Sequence, residues 1–590
     1  MEKRWNLTAL YPSFDSDEFK KDKSKFEEKI QILQEWDFEE DKAKVKTAEE
    51  FIKTLKKYYQ LSMKLNAFSH LKVSVEAKNE KALKMIEKLE KAMVKTTKPM
   101  VNFQLWLSEI DNREKLYNKS ELLQEHKFFI EELVEKSKYL LPENEEEVIA
   151  QMKQTGSSAW TKLQEKLTST LKVPIEIEGE KKELPLPVVR NMAYKKDPEV
   201  RKKAYDAELA SYEEVEESVA AALNGIKGEV ITLTKKRGYE SPLAESLIDS
   251  RLEKETLDAL IEAIEEKLPV FREFYNTKAE VLGYSNGLPF YDLFAPLGEA
   301  EMEFTYEEAR NFIISNIEDF SEEMADLYRD AFDNQWIDAE PRDGKRGGAF
   351  CYNLHPIQES RILSNFTGSF SDVTTLAHEL GHAYHGHSLE EESIINANYP
   401  MPLAETASIL SETIVTEAAL EKADEQQAYS ILENYITSAG QVIVDIYSRF
   451  TFEKNLFEKR DDSSLSVDEL KELMIEAQKK AYGDALDHEY LHPYMWLNKP
   501  HYYSADNNYY NFPYAFGLLF GLGVYALSQE EGSQFMSKYN DLLKATGKNK
   551  IEDVAKMVDI DVTSSEFWIS SLEVIEKNIK KFKELANKRI

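Results

Sequence analysis

Residues 378–382 read His378-Glu379-Leu380-Gly381-His382. On a helix, two histidines four apart stand about one turn apart on the same face. Two imidazole nitrogens placed in this way can reach a single metal ion at roughly 2.0–2.1 Å. Glu379, next to the first histidine, projects beside the metal and can take a proton from water. This combination describes zinc-dependent hydrolysis, on condition that a helix and a third ligand exist. Val373, Leu376, Ala377, Leu380 and Ala383 supply apolar residues at helical spacing. Ser371-Asp372 offers an N-cap pair with a carboxylate at the positive end of the helix. A histidine pair in an apolar helix is expected to be buried, where imidazoles need partners. Gly381 costs the helix about 1 kcal/mol against Ala, so its bare backbone fits a close approach by other backbone or by substrate. The longer motif HExxHxxGxxH requires Gly at 385 and His at 388. The chain has His385 and Ser388, which excludes that class. His385 reads as a packing residue or a support for a ligand, not as a ligand itself.

The third ligand is expected to be an acid on a following helix. Asn396-Ala-Asn-Tyr-Pro-Met-Pro402 is a breaker-rich loop, and Leu403–Leu420 then reads as a helix with Leu403, Ala407, Leu410, Ile414 and Ala418 on its apolar stripe. Glu405 falls in the first turn and Glu412 two turns on. The 22 residues between His382 and Glu405 are enough for a return to a second, antiparallel helix. Two neutral imidazoles and one carboxylate leave a positive metal with an open position, the pattern of a catalytic site and not of a structural one. Glu405 is therefore the candidate third ligand. Glu412 either accepts the other N–H of a ligand histidine or is a solvated helix acid.

Peptide hydrolysis passes through an anionic tetrahedral intermediate, which needs fixed donors in a water-poor site. Of the 30 tyrosines, 8 lie between Tyr490 and Tyr525, around the segment that starts at His501. Phenol O–H and imidazole N–H groups suit that task, although most of these rings are expected to fill core. Gly347 to Asn353 reads as a short strand opening with glycines. Such a strand can be a surface hairpin, or an edge to which a peptide adds through main-chain hydrogen bonds.

At this point a resemblance becomes specific. His378-Glu-Leu-Gly-His382-Ala-Tyr-His385, followed by Pro402-Leu-Ala-Glu405-Thr-Ala-Ser408, resembles the oligoendopeptidase F branch of the thimet oligopeptidase family of zinc metallopeptidases. Trp5-Asn-Leu-Thr-Ala-Leu-Tyr-Pro-Ser-Phe-Asp15, Lys345-Arg-Gly-Gly-Ala-Phe350 and Ile362-Leu-Ser-Asn-Phe366 extend the likeness, which reaches about residue 525. The resemblance implies a mainly α, two-lobed molecule with a deep substrate channel that excludes folded proteins, and a small β-sheet near the active site. It implies one Zn2+ per chain on His378, His382 and Glu405, with Glu379 as general base. It singles out His501, Tyr510 and Tyr514 as binders of substrate or transition state, with Tyr509 competing for the role of Tyr510. It favours Gly347, Gly348, Ala349 and Phe350 as substrate-binding main chain. The expected function is a zinc-dependent endopeptidase for short unfolded oligopeptides. A carboxypeptidase of similar fold is the alternative. A non-catalytic, peptide-binding zinc protein is disfavoured by Glu379 and the open three-ligand site.

The 590 residues exceed one typical domain, and 42% hydrophobic with 11% aromatic content supports a large core. The formal charge is 75 − 108 = −33. It argues against nucleic acid and offers little to an anionic membrane surface. The single cysteine, Cys351, excludes an internal disulfide and suits a reducing compartment. It reads as a buried strand residue, with a redox-sensitive thiol as the lesser reading. No apolar signal region opens the chain, and the richest apolar stretch, Ala515–Leu527, is short and holds three glycines. A cytoplasmic protein without a membrane span is expected. Residues 17–140 read as Lys/Glu-rich amphipathic helices, such as Thr47–Leu65 and Asn79–Lys95. Val173, Ile175 and Ile177, then Leu184 and Leu186, alternate around Glu178-Gly179, so a β-hairpin is expected over 171–186. The expected organisation is an N-terminal helical lobe over 1–190 and a catalytic domain over 191–590. Oligomeric state and side-chain preference are not encoded in any of these signals.

Overall fold

A computed structural model describes residues 2–38, 44–177, 179–298, 302–532 and 535–589. These residues are mainly helical, with two small sheets. One sheet is an antiparallel hairpin of β1 (Lys172–Ile177) and β2 (Glu180–Pro185). The other has three strands, β3 (Ile337–Asp338), β4 (Phe350–Leu354) and β5 (Glu359–Leu363), in the order β3-β5-β4. The chain forms two compact units, each assembled from three stretches. The first takes Met1–Lys138, Met302–Ala418 and Leu527–Asp559; the second takes Tyr139–Glu301, Ala419–Ala526 and Ile560–Ile590. The expected cut at residue 190 follows the chain, whereas the units do not: residues 139–190, hairpin included, cluster with the helices after them.

In the first unit, the helix Lys44–Val75 buries Phe51, Ile52, Leu55, Leu65, Phe68 and Leu71. The helix Asp17–Gln34 packs along it through Phe19, Phe26 and Ile30, and the Ser16 side chain caps its start. Asn79 is the N-cap of Glu80–Met93, one residue before the helix proper. The N-terminal stretch quoted above is stitched to the three-stranded sheet. Asn6 N donates to Gln335 O at 2.8 Å, and Arg361 Nε on β5 donates to Asn6 O at 2.8 Å. The Trp5 ring lies 6.4 Å from Phe350 on β4. β5 runs parallel to β3 and antiparallel to β4, with Phe350 opposite Leu363. Among the described residues β4 pairs on one side only, so it is an edge strand.

In the second unit, the hairpin register pairs Ile177 with Glu180 and leaves a two-residue connection. Gly179 takes φ +81° there, a conformation glycine adopts without strain; Glu178 lies outside the described residues. Val173 and Ile175 turn into a core with Leu223, Ile226, Phe452, Leu470, Trp496, Tyr502 and Tyr503. Buried charges occur in pairs, as burial requires: Lys227 lies 2.8 Å from Glu453, and Lys278 lies 2.7 Å from Glu433. The apolar stretch expected to stop at Leu527 continues as the 20-residue helix Phe512–Glu531. By length and composition alone this helix could cross a membrane, but 67% of its most apolar window is buried in the protein.

Candidate active site

The helix Phe370–Ser388 carries the His378–His382 pair. Its N-cap is Ser369, not Ser371 as the sequence suggested. The Ser369 side chain accepts from Asp372 N, and the Asp372 carboxylate accepts from Ser369 N. A reciprocal box satisfies two otherwise unpaired donors, which the expected pair could not do. The helix lies against β4 and β5. Asn353 on β4 donates from Nδ2 to His382 O at 3.1 Å and accepts at Oδ1 from Ser360 Oγ at 2.8 Å.

Glu405 does not sit inside one continuous helix. The short helix Met401–Ala404 ends just before it, and Thr406–Lys422 begins just after. At this junction Glu405 has φ −84° and ψ 0°, and its carboxylate turns toward the histidines. Glu405 Oε2 lies 3.2 Å from His378 Nε2 and 3.4 Å from His382 Nε2. Ser408 Oγ steadies the same oxygen at 2.8 Å. The three donor atoms all lie within 4.8 Å of one another, and among the described residues they are the only such cluster of three. Ligands on a tetrahedral ion at 2.0–2.1 Å stand about 3.3–3.4 Å apart. The two carboxylate–imidazole separations are close to that edge, which suits a zinc-sized ion.

Gly381 shows why no side chain is present at that point. A Cβ there would lie 2.4 Å from Ala407 O and 2.5 Å from Ser408 Cα. The partner in the close approach is therefore backbone from the Glu405 segment. Glu412 accepts at Oε2 from His378 Nδ1, 2.9 Å away, which decides between its two readings. That bond leaves His378 Nε2 aimed at Glu405. His385 is fully buried, stacks on Tyr399 at 4.0 Å and meets Thr546 Oγ1 at 2.9 Å through Nε2, away from the donor cluster.

The electrostatics follow from burial among carboxylates. Burial pushes His382 down to about 4. For His378 burial works in the same direction, but hydrogen bonds to Glu405 and Glu412 outweigh it and raise the pKa. Burial opposes ionisation of Glu405, yet His378 and His382 hold it at about 2. Glu379 is only 6% exposed, and burial lifts it to about 7, with Glu405 and Glu412 adding to the rise against the pull of His378. The backbone of Cys351 hydrogen-bonds the Glu379 carboxylate, while Oε2 is buried with no partner among the described residues. A buried carboxylate oxygen without a donor is complementary to one that arrives with water or substrate. Cys351 itself is half-buried on β4, with its thiol raised by burial, then by Glu379, so it is not a reactive thiolate.

The expected strand Gly347–Asn353 is corrected: β4 begins at Phe350, and Gly347, Gly348 and Ala349 precede it. Gly348 takes φ +76°, which is turn geometry and not strand. This turn is fastened from both sides. Asn365 Nδ2 donates to Arg346 O and to Gly348 O at 3.1 and 2.9 Å. Lys345 Nζ reaches Asp338 at 2.8 Å and the Asp338 carbonyl at 2.9 Å. Asn353, Asn365 and Ser408 thus position the site without having been singled out in the sequence. Asn365 and Ser408 lay within the quoted motifs, but nothing marked their partners.

In the second unit, the structure brings His501, Tyr510 and Tyr514 together. His501 stacks on Tyr510 at 4.8 Å, and Tyr510 meets Tyr514 edge-on at 5.7 Å. All three rings are partly exposed, whereas Tyr502, Tyr503 and Tyr509 are buried. Tyr509 packs on Phe450 and Phe457, so Tyr510 is the member of the pair that joins the cluster.

Comparison with known proteins finds relatives along most of the chain. Residues 191–574 match Peptidase family M3, and residues 109–172 match Oligopeptidase F. Oligopeptidase PepF of Bacillus subtilis is 26% identical over 489 residues, covering 81% of this chain and 72% of that protein. Group B oligopeptidase PepB of Streptococcus agalactiae is 26% identical over 492 residues, covering 82% and 81%. Among solved structures, a putative peptidase from Chlamydophila abortus superposes with a TM-score of 0.83 at 21% identity over 99% of this chain and 98% of that one. Oligoendopeptidase-F from Enterococcus faecium does so with 0.72 at 18% identity over 97% and 99%.

Proposed function

The chain belongs to the oligoendopeptidase F branch of peptidase family M3, metallopeptidases acting on oligopeptides, and from that premise we propose that it is a zinc-dependent endopeptidase cutting internal bonds of short, unfolded peptides. One arrangement supports this most. Three donor atoms lie within 4.8 Å of one another, Glu405 stands 3.2 and 3.4 Å from the two histidine nitrogens, and the unpartnered Oε2 of Glu379 belongs to the same helix as those histidines. One Zn2+ per chain would be held by His378, His382 and Glu405. When bound, it supplies Lewis acidity that lowers the pKa of water toward about 7 and polarises the scissile carbonyl.

The remaining work falls to the chain's own groups. Glu412 takes the Nδ1–H of His378 and so presents Nε2 as the ligand atom. Glu379 Oε2 accepts the proton of the attacking water and passes it to the leaving amine. The Tyr510 and Tyr514 hydroxyls and the His501 N–H are assigned to the oxyanion, where one fixed donor is worth about 2.7–4 kcal/mol. The main chain of Gly347, Gly348, Ala349 and Phe350 and the unpaired edge of β4 are assigned to the peptide backbone, a contact that reads little side-chain sequence. A cytoplasmic site of action accords with the single cysteine.

The test is a mixed library of short peptides blocked at both ends, digested with and without a chelator, with products identified by mass spectrometry. Internal cleavage that disappears with the chelator and returns with zinc is expected. No cleavage of the blocked library, with C-terminal residues released from the same peptides when their C-termini are free, would favour a carboxypeptidase instead.

A further inference from the structure

The second unit holds a cavity of ≈ 480 Å³ whose lining residues all belong to that unit. Part of the wall is apolar, with Leu186, Val189, Phe290 and Phe294. Another part is cationic, with Arg190, Arg449 and Lys499. Arg190 Nε lies 3.1 Å from Glu208, and Arg449 pairs with Asp445, so each guanidinium has a carboxylate of its own. Lys499 has neither a side-chain hydrogen bond nor an ion pair among the described residues, although it is half-buried. Burial, and then the charge of Arg449, push its ammonium down to about 7. Arg449 Nε and Asn498 Oδ1 are also buried there without a hydrogen-bond partner. Gln441 and Asp445 come from a wide π-turn, Gln441–Asp445, that interrupts two long helices beside the cavity. Such turns recur at functional sites.

Asp445 and Glu208 act on this ammonium from a distance, each already paired with an arginine, and a partly buried cation without an ion pair of its own is costly to keep. Beside an unpartnered guanidinium N–H, it makes the cavity complementary to an anion. The surplus is a single charge, in a chain whose total is −33. One surplus cation matches a monoanion better than a doubly charged phosphate, and the apolar wall calls for an apolar body attached to it. We propose that this cavity receives the C-terminal residue of a peptide, its α-carboxylate on Lys499 and Arg449 and its apolar side chain on the Phe290–Phe294 wall. The peptide as source rests on the peptidase reading; binding of an apolar carboxylate does not.

The probes are N-acetyl-phenylalanine and its C-terminal amide, titrated calorimetrically into the full chain, with inorganic phosphate as competitor. The acid is expected to bind at least about 10-fold tighter than the amide, as one charge-assisted contact implies. Lys499→Met should erase that difference without lowering the unfolding temperature. Lys499→Gln, which keeps a polar head and removes the charge, serves as the second variant if Lys499→Met does not fold, with the same loss of preference expected. Equal binding of acid and amide overturns the proposal, as does an undiminished preference in Lys499→Met. Displacement by phosphate at matching concentration overturns the peptide-terminus assignment. Because binding is read without turnover, a protein that hydrolyses no peptide would remove the peptidase reading alone.

Discussion

Replacing Gly381 with alanine adds one methyl group where the metal helix meets the Glu405 segment. The new carbon would sit 2.4 Å from Ala407 O and 2.5 Å from Ser408 Cα, against an ordinary contact of 3.4–4 Å. The two backbones must part by about 1 Å, and neither is a flexible side-chain tip that can swing aside. Metal sites hold their ligand distances to about ±0.2 Å. A shift of this size therefore pulls Glu405 out of the geometry that His378 and His382 share with it. Zinc affinity should fall on the order of 10–100-fold, the range seen when ligand support is lost, and activity should fall with it. Stability of the metal-free protein is a poorer readout. Overpacking costs about 1–3 kcal/mol, while alanine regains about 1 kcal/mol of helix propensity. The assay is zinc competition against a chelator, with metal-free unfolding measured in parallel. A Gly381→Ala protein that binds zinc as tightly as wild type and turns over peptide at the wild-type rate would refute the reasoning.

Three further outcomes follow from individual contacts. Glu412→Gln leaves His378 Nδ1 a neutral acceptor in place of a carboxylate, and zinc affinity should drop by about 10-fold with little change in metal-free unfolding; a zinc titration checks it. Asn365→Ala removes both bonds to the Gly347–Gly348 turn, so KM for a peptide should rise several-fold, about 1 kcal/mol, while kcat stays within two-fold. His385 is held neutral, its pKa lowered from 6.5 to about 3 by burial. The unfolded chain therefore takes up that proton first, and stability drains as pH falls through 6.5 toward 3. Between pH 7 and 5 the wild type should lose about 2 kcal/mol more than His385→Gln, measured by denaturant unfolding at both pH values.

The helix Phe370–Ser388 was legible because its signals are local: two histidines four apart, apolar periodicity and the proposed base within five residues. Glu405 was reached through chain distance and motif, but its place at a break between two helices was not, since a carboxylate turned by a ψ near 0° leaves no periodic trace. The same limit explains the shift from Ser371 to Ser369, where Asp372 serves as the return partner of the box instead of part of the cap. The start of β4 at Phe350 depends on pairing with Leu363, and the turn before it depends on Asn365; both are tertiary facts. Among the tyrosines, composition suggested donors, but only packing separates Tyr510 from the buried Tyr509. Two units built from three stretches each could not be drawn from a linear reading, nor could a cavity that joins Arg190 to Arg449 and Lys499. Residues so far apart in sequence are brought together by helix packing alone.

The central claim is that Glu379 moves the proton while His378, His382 and Glu405 hold the metal. Glu379→Gln tests it most directly, because the change preserves shape and removes only the base. Zinc content and peptide turnover are measured on the same purified protein. One zinc per chain with turnover reduced by at least about 10²–10⁴-fold is predicted. A zinc-loaded variant that still cleaves peptides at near the wild-type rate would contradict the account.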